Sequence, residues 1–380
     1  MLASLSGRGV VCASQRFDCK LGVMDIFGDK DCTNAAAVWR HIGTCFPDRT
    51  GVDSKKFLNS LSGLKINGFR GLIIGSGFEG KYDVLRKANE IMPLYANYLS
   101  VFKCLENPIL FFEILKLLEV PFPQVNFSAD SFNDLGSDWI LKDLGSSGGR
   151  GIKKTFGRKA KSSEYFQKQL PGTTVSLSFF ADGRNFIPLG YSKPATIQQS
   201  NLPFVFCGLD GPIEVDNSID QEALRISKLI VQKFKLRGFN GIDFLISDKA
   251  VNFIDLNPRI TASFEILQEA HSFCFLEKHI HLTRDIPGNT HVPESFSAMK
   301  KKIISGFRVI YAQSDFYMNE HFQESLFNNK FLINIPNKKY FFKKYEPVCS
   351  VFLRNNSVLE LQKALDDKVD FVYNKISQLT

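Results

Sequence analysis

Along the first hundred residues, short apolar runs alternate with stretches whose apolar positions recur at helical spacing, the pattern of a βα domain. Leu21 to Ile26 and Leu72 to Ile74 are predicted strands, each followed by a turn containing glycine or acidic residues. The run GLIIGSGFEG ends its strand at Gly75 and opens the next helix through Ser76, Gly77, Phe78 and Glu79. Ligands of open α/β sheets sit at such carboxyl-terminal strand edges, although an ordinary tight turn accounts for the same residues.

Further along, the spacing predicts a helix over Asn107 to Val120, with Ile109, Phe112, Leu115, Leu118 and Glu119 on one face and Pro108 in the first turn. A strand follows at Trp139 to Lys142, then a Gly-rich loop at Gly145 to Gly151 and an alternating strand at Thr174 to Phe180. A helix over Gln221 to Phe234 leads into GFNGIDFLI and VNFIDLNPRI, which read as a hairpin around a turn at Ser247 to Lys249. From about Lys300, strands alternate and a helix over Val358 to Ile376 closes the pattern. The expected class is α/β, divided into a βα domain over 1–105, a central domain over 106–291, and a small β-rich module with a terminal helix over 292–380.

Composition adds bounds. With 44% hydrophobic and 23% charged residues, 380 residues supply two or three cores and too much apolar material for disorder. The 36 phenylalanines point to a Phe-built core, and only Phe78 and Phe264, which flank candidate site residues, have a claim to more. A formal charge of +8 excludes a histone-like or polybasic tail. No apolar run is long enough to span a bilayer, and the N-terminus lacks the charged start and cleavage site of a signal peptide, so a cytoplasmic protein is expected. The eight cysteines are scattered without a CxxC and read as free thiols in a reducing compartment.

Two constellations carry chemistry. In WILKDLGSSGGRGIKK a strand delivers Lys142 to its end, and Gly145, Ser146, Ser147, Gly148 and Gly149 form a loop whose backbone N–H groups can approach an anion. The GK[ST] ending of a P-loop is missing, and a ligand-free hairpin turn is the competing reading. In the predicted hairpin, Asp243 and Asp255 can lie side by side, and Asp255, Asn257 and Arg259 share one parity. Two carboxylates and an amide oxygen suit Mg²⁺, with the guanidinium placed where phosphate charge would collect. Without a cation, such carboxylates repel each other. The competing reading has Asp255 and Asn257 merely shaping the Asn-Pro turn.

A strand lysine, a Gly-rich lid and a downstream D...DxNPR set together resemble the ATP-grasp superfamily over roughly Asn107 to Ala270. That resemblance implies a two-lobed central ATP-grasp domain behind a preATP-grasp βα domain. It implies an enzyme that activates a carboxylate as an acyl phosphate and passes it to an amine, using ATP with Mg²⁺ or, as a substitute, Mn²⁺. Lys142 and the loop would hold the phosphates, Asp243, Asp255 and Asn257 the metal, and Arg259 the transferring phosphate. In YFQKQLPG, backbone groups of Gln169 and Leu170 would meet the adenine, while Lys168 stands where many members carry glutamate. Asn107 and Pro108 occupy the place of another nucleotide lysine, as in the predicted carboligases related to biotin carboxylase. That branch is also similar in its early Ser6-Gly7-Arg8, in DIFGDKD at Asp25 to Asp31, in GSGFE and in PVCSV at Pro347 to Val351. Some of its members resemble ligases that join glutamate to tyramine or a related amine in making methanofuran-type C1 carriers. Arg8, Ser76, Gly77 and Glu79 are then the candidates for holding the acceptor, against a solvated-loop reading of Asp25, Asp29 and Asp31.

Other signals are weaker. His279, His281 and His291 lack the partners of a metal set and read as surface or packing residues. The stretch NKKYFFKKYEP fits a lysine-guarded edge strand better than a nucleic-acid stripe, and Lys300 to Lys302 read as a solvated turn. Small-molecule acid and amine partners are expected, with no membrane or nucleic acid. A non-catalytic ATP-binding module and an RNA-binding protein are the alternatives.

Overall fold

The computed structural model describes residues 1–44, 51–64, 68–127, 138–154, 160–200, 202–248, 250–284 and 303–379. The expected boundary at residue 291, His291 and Lys300 to Lys302 lie outside them.

The N-terminal region is built on four parallel strands in the order Trp39–His41, Val23–Asp25, Leu2–Ala3, Ile73–Ile74. Helices cover both faces, as a parallel sheet requires. Strand order reverses direction between Leu2–Ala3 and Ile73–Ile74, so the loops after these two strands flank a crevice. These loops are the SGR segment and GSGFE, and the Oγ atoms of Ser4 and Ser76 lie 3.4 Å apart.

Two antiparallel sheets follow. The smaller runs Val125–Asn126, Glu164–Lys168, Trp139–Asp143, Ile152–Lys154. The larger has eight strands in the order Ala250–Asn257, Arg237–Ser247, Thr173–Asp182, Phe186–Gln199, Leu202–Ile213, Ile304–Tyr311, Pro347–Asn355, Leu332–Ile333. The last three come from the C-terminal region, which packs its own core under the helix Val358–Ile376 while continuing the central sheet edge to edge.

The predicted hairpin is present, and it contains a bulge. Asp243 faces Asp255, but Phe244 faces Phe253, so the register slips by one residue at Ile254. Val251 and Phe253 point into the core on one side of the slip, and Leu256 does so on the other. The bulge thereby turns Asp255 and Asn257 away from the apolar face that unbroken alternation from Phe253 would have given them.

The helix Pro108–Leu117 is capped by Asn107, whose side chain accepts from the Leu110 N–H. Its buried face is Phe111, Phe112 and Leu115, whereas Ile109, placed on that face by the spacing, is 50% exposed. Phe111 draws the helix round by packing on Phe234 and Phe253. Phenylalanine is core material throughout: Phe180, Phe239, Phe264 and Phe275 form one cluster of edge-to-face and tilted rings, and Phe78 packs on Phe57. Phe78 and Phe264 therefore serve as packing that backs the site.

Candidate functional site

A cleft of about 1410 Å³ lies between the small sheet, the large sheet and the crevice of the N-terminal region. Its walls include Lys142, Gly145, Ser146, Ser147, Gly148 and Gly149 from one side, and Asp243, Asp255, Asn257 and Arg259 from another. Gln169 and Leu170 line it at the hinge, and Arg8, Ser76, Gly77 and Glu79 line its N-terminal side. Every site residue singled out in the sequence thus borders the same space.

Asp243 and Asp255 face each other across the hairpin. Asp243 accepts hydrogen bonds from the Ser176 hydroxyl and, at 3.2 Å, from Asn257 Nδ2. Burial first, and then the charge of Asp255, pushes Asp243 up to about 6. Asp255 opens onto the cleft with protein on its remaining sides, and that desolvation raises it too, against the opposing pull of Lys142 and Arg259. Asn257 Oδ1 accepts from Arg259 Nη2 at 2.8 Å and keeps a second lone pair.

Lys142 crosses from the small sheet to the large one, donating from Nζ to the Ile254 carbonyl at 3.0 Å, the carbonyl at the bulge. Burial pulls its ammonium down, yet Tyr165 and Asp255 carry it above its ordinary range. Arg259 Nη2 lies 2.6 Å from Glu79 Oε1, and Glu79 Oε2 accepts from the Gly77 N–H at 2.7 Å. GSGFE and the DxNPR segment therefore meet at one ion pair.

The Gly-rich loop rests on the strand Leu202–Ile213, with the Phe206 N–H donating to the Gly148 carbonyl at 3.0 Å. Gly149 has φ +71°, and a Cβ there would stand 1.7 Å from the Phe204 carbonyl oxygen. Only glycine allows that approach. At its other end, the loop comes against the N-terminal region at Gly80, where a Cβ would meet Gly145 Cα at 2.9 Å.

Arg8 lines the cleft, but its guanidinium is engaged by both carboxylate oxygens of Glu265 and lies 3.6 Å from Asp31. The solvated-loop reading of DIFGDKD is overturned for two of its acids. Asp25 is fully buried and accepts from the Gly7 and Gly28 N–H groups and Trp39 Nε1, while Asp29 is 5% exposed. Burial, with Asp25 and Asp31 nearby, holds the Asp29 carboxyl well above its usual range.

Sequence reasoning missed four residues. Ser176 holds Asp243, and Tyr165 backs Lys142 with its ring 5.8 Å from Nζ. Gln167 lines the cleft while buried, and its Nε2 has no hydrogen-bond partner among the described residues. Asn97 donates to the Asn240 side chain and the Pro258 carbonyl at 2.8 and 2.9 Å and accepts from the Arg237 N–H at 2.7 Å, fixing the N-terminal region to the Asn-Pro turn. The parity of Gln167 and Tyr165 in YFQKQ carried a signal; Asn97 had none.

The donor set fits a hard cation and a phosphate-bearing ligand on three observations. Asp243 and Asp255 stand opposite each other on one hairpin, and the Asn257 amide lies beside Asp243. Burial raises the proton affinity of both carboxylates, and the charge of Asp255 adds to it at Asp243, so a cation between them would be favoured. The orphan Nε2 of Gln167, a residue that lines the cleft, is a buried donor that a ligand acceptor would satisfy.

His279, expected at the surface or in packing, is buried, accepting from the Phe239 N–H at 2.9 Å through Nδ1, which leaves Nε2–H for the Tyr95 carbonyl at 2.9 Å. In the basic aromatic stretch, Tyr340–Phe342 pairs with Phe316–Met318 in a two-stranded sheet, with Phe342 inward and Phe341 outward. Among the described residues, no helix is long and apolar enough to cross a membrane.

Residues 106–263 match the family model described as the ATP-grasp domain. Over 127 residues the chain is 26% identical to an uncharacterized protein of Methanocaldococcus jannaschii, a match covering 33% of this chain and 29% of that protein. The chain thus spans under a third of the relative it matches. In fold it is similar to N5-carboxyaminoimidazole synthetase from Staphylococcus aureus, with TM-score 0.65, 16% identity, and 97% and 96% of the two chains covered. The carboxyaminoimidazole ribonucleotide synthase of Aspergillus clavatus, complexed with ATP, gives 0.67 at 14% identity over 97% and 98%. The biotin carboxylase domain of the Hydrogenobacter thermophilus 2-oxoglutarate carboxylase, in complex with MgADP, ADP and bicarbonate, gives 0.65 at 14% identity over 93% and 86%.

Proposed function

We propose that this chain, which carries an ATP-grasp domain over residues 106–263, is an ATP-dependent carboxylate-amine ligase working through an acyl phosphate. The observation that carries the reading is the convergence of Lys142, Asp243, Asp255, Asn257 and the Glu79–Arg259 pair on one cleft roofed by the Gly-rich loop. Residues 1–105 serve as the preATP-grasp domain, 106–291 as the ATP-grasp domain and 292–380 as the C-terminal module.

Asp243, Asp255 and Asn257 would hold Mg²⁺, and Lys142 with Gly145, Ser146, Ser147, Gly148 and Gly149 would hold the nucleotide phosphates. Bound there, Mg²⁺ would offset charge on the γ-phosphate that ATP donates to a carboxylate. Ser176 and Asn257 keep Asp243 oriented, and Lys142 stays protonated beside Asp255. Arg259, oriented by Glu79, presents its guanidinium where charge accumulates on the transferring group. Backbone groups of Gln169 and Leu170, with the side chain of Gln167, meet the base. The loop shields the activated acyl group from water until the amine arrives.

The acceptor would lie on the N-terminal side of the cleft, near Ser76, Gly77, Glu79 and Arg8. The branch resemblance in SGR, DIFGDKD, GSGFE and PVCSV supports glutamate and a tyramine-like amine, in the making of a methanofuran-like C1 carrier, as the first pair to test. A phosphate-release screen of ATP and Mg²⁺ with glutamate and other amino acids against a panel of amines, tyramine included, tests this. One acid–amine pair is expected to stimulate release and yield an amide; an equal response to every pair contradicts the ligase reading.

A further inference from the structure

Outside the cleft, the joint between the N-terminal region and the helices after the Asp-Asn hairpin gathers two thiols and a carboxylate. Cys19 follows the helix Arg8–Gln15, and Cys274 and Glu277 stand at the N-cap and in the first turn of the helix Phe275–Thr283. Cys19 Sγ lies 3.7 Å from Cys274 Sγ and 3.6 Å from Glu277 Oε1, and the three ligand atoms all fall within 4.8 Å of one another. None of the three lines the cleft.

The two distances from Cys19 match edges of a particular polyhedron. A tetrahedral zinc ion with Zn–S of about 2.3 Å and Zn–O of about 2.0 Å sets two sulfurs roughly 3.8 Å apart and a sulfur and an oxygen roughly 3.5 Å apart. The residues are also held in place. The buried Gln268 accepts from the Phe275 N–H and donates to the Phe273 carbonyl, each at 2.7 Å, clamping the backbone on both sides of Cys274. The Cys19 N–H donates to the Ser14 carbonyl at 3.4 Å. Such support of the ligands by their neighbours is what a metal site needs.

We propose that Cys19, Cys274 and Glu277 form a binding site for a thiophilic divalent cation, zinc by its geometry, that clips the N-terminal region to the helix Phe275–Thr283. Three protein ligands leave the fourth position to water, and Glu277 stands at the exposed side of the cluster. The sulfurs bind as thiolates, so uptake releases their protons to solvent. An ion that binds only the folded chain stabilises it by mass action. The same helix carries His279, which reaches both Tyr95 and Phe239, so the clip fastens an element already bridging the two regions.

Two other states share the spacing: protonated thiols hydrogen-bonded to the carboxylate, with no metal affinity, and a disulfide that consumes both sulfurs. Titration of the reduced, metal-stripped full chain with Co²⁺, followed by Zn²⁺, separates them. One equivalent of Co²⁺ is expected to produce a thiolate-to-cobalt charge-transfer band that Zn²⁺ abolishes. Cys19→Ser should remove the band, and Glu277→Gln should weaken cobalt binding by about tenfold or more, as loss of a metal-site partner does. Zn²⁺ should raise the melting temperature of the wild type and leave that of Cys19→Ser unchanged. Cys274 is buried, so these two variants decide the question, with circular dichroism to verify folding. Absence of the band, or a band of equal strength in Cys19→Ser, overturns the proposal. Mild oxidation that links Cys19 to Cys274 in a reduced chain that takes up no cobalt does so as well.

Discussion

Arg259 Nη2 stands 2.6 Å from Glu79 Oε1, joining the DxNPR segment of the large sheet to the GSGFE loop of the N-terminal region. Both side chains are largely withdrawn from water, and the same Nη2 reaches Asn257 Oδ1. Glu79 is thus a positioning residue for Arg259. Glu79→Gln should lower acceptor-dependent turnover roughly ten- to a hundredfold, the scale of a misplaced catalytic group, with Mg-ATP affinity nearly unchanged. Phosphate release and nucleotide titration measure the two. Wild-type turnover in that variant would reduce the pair to a joint between regions.

Asp243 and Asp255 face each other with both carboxylates raised by burial, a cost in stability that a cation at the proposed site would offset. Asp255→Asn replaces a repelling charge with a group that can donate to Asp243, so the metal-free variant should melt at the wild-type temperature or a few degrees higher. Mg²⁺-dependent ATP turnover should fall by about a hundredfold or more, as expected for a lost metal ligand in phosphoryl transfer. Calorimetry and phosphate release check the two halves. A variant that keeps full turnover would remove Asp255 from the metal set.

At Gly149, an alanine must push its Cβ away from the Phe204 carbonyl and hold φ +71°. The loop should lift from the strand Leu202–Ile213, raising KM for ATP by roughly tenfold. Global stability should change by about 1–2 kcal/mol at most, because the loop lies outside the core clusters. Steady-state kinetics against ATP concentration tests this. An unchanged KM would mean that the loop does not cover the nucleotide.

His279 sets a pH dependence of folding. Burial lowers it from 6.5 to about 4, and both ring nitrogens are used in the neutral form. Below pH 6.5 the unfolded chain takes up a proton that the folded chain refuses until about pH 4, so stability is full above 6.5 and declines across that window. The whole shift corresponds to roughly 3 kcal/mol. Urea denaturation of wild type and His279→Gln at pH 7 and pH 5 should show the variant less stable at pH 7 and less sensitive to acid. Equal acid sensitivity would assign the loss to another group.

Much of this was legible in the chain. The Asp243 and Asp255 hairpin followed from two apolar runs around a short turn, the helix Val358–Ile376 from its periodicity, and the strand Trp139–Asp143 from the run that carries Lys142. What escaped was what alternation cannot express. The bulge at Ile254 switches faces in mid-strand, so parity counted from Phe253 would have buried Asp255. Arg8 reads as a candidate for holding the acceptor, and its ion pair with Glu265, 257 positions away, could not be seen from SGR. Asn97 and Ser176 act only through tertiary contacts, which a single sequence does not display.

The acyl phosphate is tested most directly by oxygen tracing. With the acid of the stimulating pair labelled with oxygen-18 in its carboxylate, one labelled oxygen per turnover should appear in the released phosphate, because the carboxylate oxygen that attacks the γ-phosphate leaves with it when the amine displaces it. Phosphate whose new oxygen comes only from water would contradict the account.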